Sequence, residues 1–120
     1  MAFDWPEYLE LARLLAQGGL DGSTPEAASR CAVSRAYYAA FCHARNYARD
    51  RLGFVPDHTG ADHHRVQERL RNRGLREIVR GLERLRQWRG QCDYHDHVLN
   101  LAGIVPQALQ TARQVIESLQ

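Results

Sequence analysis

Residues 24–51, TPEAASRCAVSRAYYAAFCHARNYARDR, decide the class of fold. Thr24-Pro25-Glu26 is a helix start, with a hydroxyl to cap, a proline in the first turn and an acid beside it. From Cys31 to Ala44 the stretch is apolar almost all round, with Ser34, Arg35 and His43 as its main polar interruptions. A helix of that kind has to be covered on more than one side, which predicts a long central helix over 24–51. Gly53 and Pro56 end it, the first suited to a left-handed cap and the second disfavouring a helical residue before it.

The segments on either side read as helices too. Asp4-Trp5-Pro6-Glu7 predicts a first helix with Asp4 as cap and Glu7 completing a capping box, a Phe3–Tyr8 staple, and an apolar stripe through Tyr8, Leu11 and Leu15. Gly18-Gly19 and Asp21-Gly22 break it. A short helix over 61–72 leads through Gly74 into a fourth, where Leu75, Ile78, Val79, Leu82 and Leu85 recur at three- and four-residue intervals. A last helix over 97–119 carries Leu101, Ile104, Val105, Leu109, Ala112, Val115, Ile116 and Leu119 on its core face, with a kink expected at Pro106. No strand-like alternation competes. The expected fold is all-α, an up-and-down antiparallel bundle of four long helices plus a short one, in a single domain over 1–120.

Hydrophobic residues at 44% and charged ones at 25% describe an ordinary globular chain. No stretch approaches the roughly 18–20 apolar residues of a membrane span, and the first ten residues carry Asp4, Glu7 and Glu10 where a signal peptide would be basic and then apolar. The expectation is a cytoplasmic protein with no membrane partner. Cys31, Cys42 and Cys92 have neither disulfide-framework nor zinc-knuckle spacing and are expected to be buried, inert thiols.

All 16 basic residues are arginine, a side chain whose planar fork suits phosphate, although the net charge is only +2. Arg69, Arg73, Arg76, Arg80 and Arg84 form one stripe, in a window from Arg65 to Arg89 that holds nine arginines against Glu68, Glu77 and Glu83. Such a ridge tracks a phosphate backbone, or else is a solvated face of intrahelical ion pairs. Arg89 falls on the apolar face of the fourth helix, at about 100° per residue, and so points inward. There it either serves chemistry or neutralises a buried carboxylate. His58, His63 and His64 form one group and His95, Asp96 and His97 another, yet no His-x-x-x-His or Cys-x-x-Cys spacing is present, so no metal is assigned. Phosphate-binding loops, nucleophile elbows and dinucleotide turns are absent, so no cofactor is assigned and Arg89 with His95 is the best reactive pair.

Ser34-Arg35-Ala36-Tyr37-Tyr38-Ala39-Ala40-Phe41 resembles the second-helix signature of HEPN domains, and the run from Leu82 through Arg89 to Asp93-Tyr94 is similar to the end of that family's fourth helix. The order of elements agrees along nearly the whole chain. Ribonuclease members carry an arginine, four to six residues, then a histidine; five residues separate Arg89 and His95. The resemblance implies a toxin-type, metal-independent endoribonuclease whose site forms across a homodimer. In it His95 takes the proton of an RNA 2′-hydroxyl, Arg89 holds the phosphate, and Asp93, Tyr94 and Arg35 support them. Arg73, Arg76, Arg80 and Arg84 would supply RNA contacts. Gly90 departs from the polar residue that often follows the arginine, and Asp93-Tyr94 resembles the branch in which the nuclease histidine is frequently missing, which together imply a non-catalytic nucleotide- or RNA-binding partner of a nucleotidyltransferase antitoxin. Read from the residues alone, Asp93 instead pairs with Arg89 or Arg86 and Tyr94 anchors the helix end, which makes the segment a structural lock.

Overall fold

A computed structural model describes residues 2–18 and 21–120. Its described residues form five helices and no strand: α1 (Glu7–Ala16), α2 (Pro25–Arg51), α3 (Asp62–Asn72), α4 (Arg76–Tyr94) and α5 (Leu101–Ser118). The protein is all-α. No helix among the described residues is long and apolar enough to cross a membrane.

α2 is the centre and packs against each of the other four helices. Its alanines make this possible: Ala32, Ala36, Ala39, Ala40, Ala44 and Ala48 are fully buried, and their small side chains let neighbouring helices close in from several directions. Tyr37 and Val33 of the same helix share one core with Leu70 of α3 and Leu82 and Leu85 of α4, all essentially inaccessible. Burying a Leu or Val side chain of this kind stabilises the fold by about 1.5–3 kcal/mol. The Thr24 hydroxyl accepts the Ala27 N–H at 3.1 Å and caps α2 as its sequence predicts. At the other end Gly53 takes φ +69°, and the Phe54 N–H returns to the Ala48 carbonyl.

Four sequence expectations shift. α1 starts at Glu7 with no side-chain cap, because the Asp4 backbone carbonyl, not its carboxylate, accepts the Glu7 N–H. The Phe3–Tyr8 contact does form, with ring centroids 5.1 Å apart. The buried side of α1 runs through Leu9, Ala12, Leu15 and Ala16, so Leu15 packs as expected while Leu11 is exposed, since small Ala12 lets α1 lie close on α2. α5 begins at Leu101, not 97; His95 is extended and Asn100 is left-handed at φ 59°, so the intervening residues turn the chain back. Cys42 and Cys92 are buried, and burial pushes both thiols up, whereas Cys31 is exposed, contrary to its expected burial. The break at Gly19 lies outside the described residues.

Candidate functional site

The amphipathic register of α4 carries Arg89 inward from the face that buries Ile78, Leu82 and Leu85. Only 13% of its side chain is exposed. The guanidinium carbon lies 5.4 Å from the centre of the Tyr37 ring, 5.8 Å from Tyr38 and 5.9 Å from Tyr94, an aromatic surround that favours a cation. Nη1 stands 3.5 Å from Oδ2 of Asp93, one turn on, and the same carboxylate oxygen accepts from Ser34 of α2 at 3.4 Å. Burial works against the charge, but Tyr38, Tyr37 and Asp93 outweigh it and the arginine pKa is raised. Nε is buried with no hydrogen-bond partner among the described residues, which costs about 1–3 kcal/mol. The Asp93 pairing therefore leaves the guanidinium incompletely satisfied.

The end of α4 is held from across the fold. Arg30 of α2 donates through Nη1 to the carbonyls of Cys92 (3.1 Å) and His95 (2.6 Å) and through Nη2 to that of Asp96 (2.9 Å), while Nε pairs with Glu26. α4 has no basic residue in its own last turn, so Arg30 supplies the cation that its C-terminal carbonyls favour.

Beyond this clamp, Arg89 and His95 line one open cleft of about 1180 Å³ along α3 and α4. Tyr94 stands at its edge, 77% exposed. α3 contributes His64 and Arg71, and α4 adds Arg86, whose Nη1 donates to Nε2 of His64 at 3.4 Å. The other sequence candidates lie elsewhere. Arg73, Arg76, Arg80 and Arg84 are exposed and line no part of the cleft. Arg80 pairs with Glu77 at 2.8 Å, and Arg84 lies over Trp88 at 4.9 Å. Arg69 belongs to the scaffold, donating to the Leu52 carbonyl. Arg35 sits over Tyr8 and Tyr38, outside the cleft.

His63, next to cleft-lining His64, faces the other way. Its ring stacks on Phe41 at 4.3 Å, and its Nδ1 is hydrogen-bonded to the Tyr37 hydroxyl. Burial, reinforced by Arg86 and Arg89, lowers its pKa from 6.5 to about 4, and burial raises that of Tyr37. The neutral imidazole is thus a packing element against Phe41 and Tyr37. Because the unfolded chain binds this proton first, the contribution of His63 is complete above pH 6.5 and is lost as pH falls toward 4. Discounted for its partial exposure, the loss amounts to about 1–2 kcal/mol. Urea unfolding at pH 7.5 and pH 4 should show that much less acid sensitivity in His63→Gln than in wild type; equal sensitivity would exclude His63 as its source. Among the described residues no three His, Cys, Asp or Glu side chains gather as a metal site.

Gly90 follows Arg89 in the cleft wall, and a Cβ built there meets nothing within 4 Å. Gly90→Ala should stabilise α4 by about 0.5–1 kcal/mol through helix propensity, read as a higher urea midpoint. No family model matches the chain, and no curated protein or solved structure matches it either. Neither Arg30 nor Arg71 was marked as part of the site in the sequence, and Arg86 was marked only as a partner for Asp93. Arg71 was legible only as a member of the arginine-rich window, and nothing near Arg30 in the sequence points to the end of α4.

Proposed function

We propose that this chain is a HEPN-like endoribonuclease of the toxin type, an up-and-down antiparallel bundle of four long helices plus a short one. It acts in the cytoplasm as a homodimer and cuts RNA without a metal. The observation that carries the proposal is that Arg89 and His95 line one open cleft, with Arg71, Arg86 and His64 on its walls. Neutral His95 takes the proton of a ribose 2′-hydroxyl; the 2′-oxygen attacks phosphorus, and the bond to the 5′-oxygen breaks, that oxygen taking a proton from solvent. Arg89 and Arg86 offset the charge gathering on the phosphate oxygens. The products are a 2′,3′-cyclic phosphate and a 5′-hydroxyl. Purified protein incubated with single-stranded RNA in excess chelator should give fragments with those ends.

A second reading has its own observation: Arg89 is turned onto Tyr37, Tyr38 and Asp93. That arrangement favours a non-catalytic nucleotide- or RNA-binding partner of a nucleotidyltransferase antitoxin, with the end of α4 as a lock. RNA binding with no turnover under the same conditions would select it.

A further inference from the structure

A second groove, of about 460 Å³, lies between α1, α2 and the connection that leads into α3. Its volume is in the range of about 300–1,000 Å³ that ligand sites occupy. Aromatic rings and guanidinium groups alternate along it. Arg35 lies 5.2 Å from the Tyr8 ring centre and 5.4 Å from that of Tyr38, and Arg45 lies 5.5 Å from Trp5, which meets Tyr8 edge-on at 5.4 Å. Neither arginine has a carboxylate in ion-pair range among the described residues: Arg35 donates to the Ser34 hydroxyl and Arg45 to the Asn46 side-chain oxygen. Asp62 is the one carboxylate lining the groove among the described residues, and its oxygens are taken by the Asp57 and His58 N–H groups and by Arg65. Two uncompensated cations thus lie against flat, partly exposed rings. The groove also adjoins the cleft, because Tyr38 carries the Arg35 guanidinium on the groove side and lies 5.8 Å from Arg89 of the cleft.

We infer that this groove binds single-stranded RNA flanking the bond held in the cleft, with bases stacked on Tyr8, Tyr38 and Trp5 and phosphates drawn onto Arg35 and Arg45. Stacking accepts any base, and guanidinium groups follow the backbone, so the groove would add length-dependent affinity without sequence preference. The inference rests on the ribonuclease reading of the cleft for the strand's identity as RNA.

Trp5 and Trp88 are the two tryptophans, so Trp88→Phe leaves Trp5 as the sole indole reporter. With His95→Ala added to prevent cutting, octaadenylate should quench Trp5 fluorescence, while AMP at the same nucleotide concentration should not. Arg35→Gln with Arg45→Gln should weaken octamer binding at least tenfold and flatten its salt dependence by about 1.4 in log–log slope, the share of two phosphates. Anisotropy of end-labelled octamer, with both tryptophans kept, provides the same comparison if Trp88→Phe does not fold. Equal quenching by AMP would make this a mononucleotide pocket and overturn the strand reading, as would octamer affinity unchanged in the double variant. Cleavage with unchanged KM in the double variant would overturn the groove and leave the cleft assignment standing. Groove-dependent binding by a wild type that never cuts would do the reverse.

Discussion

His95→Ala should lower RNA cleavage by about 10²–10⁴-fold, the range general acid–base catalysis supplies, while helical circular dichroism and the urea midpoint stay at wild-type values. The two halves of this expectation come from different atoms. The residue is held through its backbone: its carbonyl accepts from Arg30 at 2.6 Å and its N–H returns to the Gln91 carbonyl at 3.0 Å. Alanine keeps both. The imidazole is exposed at the cleft and makes no hydrogen bond or ring contact among the described residues, so its removal leaves no cavity and no stranded donor. Arg89→Lys is the companion variant. It keeps a cation near Tyr37 and Tyr38 but cannot make the two-pronged contact of a guanidinium with phosphate, so kcat should fall with little change in KM. Equal cleavage by wild type and His95→Ala, on RNA and in chelator, would remove His95 from the chemistry.

Much of the helical layout was legible because its signals are local. Thr24 caps α2, Gly53 and Gly74 take positive φ beyond helix ends, and the apolar spacing of α4 places Ile78, Leu82 and Leu85 in the core. The inward direction of Arg89 followed from the same period, and of the two arginines read as partners for Asp93 it is Arg89 that pairs with it. What was not legible depends on approach between distant segments. Arg30 pairs with Glu26 one turn before it, and nothing nearby announces that its other nitrogens reach carbonyls 62 to 66 residues away. The stripe through Arg76, Arg80 and Arg84 is real as a pattern, but the cleft opens on the α3 side of α4, where Arg86 and Arg89 lie with Arg71. Helical spacing shows which residues share a face and leaves open which face meets a neighbour. His63 and His64 illustrate this, one packed on Phe41 and the other on the cleft wall.

The contact that sequence concealed carries the largest stability effect. Arg30→Met keeps most of the buried stem and removes every donor, so the carbonyls of Cys92, His95 and Asp96 lose a charged partner together. Hydrogen bonds from charged groups contribute about 1.5–3 kcal/mol each when well shielded, but here water can replace part of what is lost. A total of about 2–3 kcal/mol follows, measurable as a lower urea midpoint. Glu26→Gln is the control: that carboxylate is 65% exposed, so its loss should cost less than about 0.5 kcal/mol. Activity separates a clamp from a mere staple. If Arg30 positions His95, Arg30→Met should lower kcat at temperatures where the protein is fully folded, and Arg30→Lys, which restores the charge but cannot span three carbonyls, should recover stability more than rate. A stability loss accompanied by wild-type kcat would make Arg30 a helix cap alone, and the position of His95 would then be set by the turn between α4 and α5.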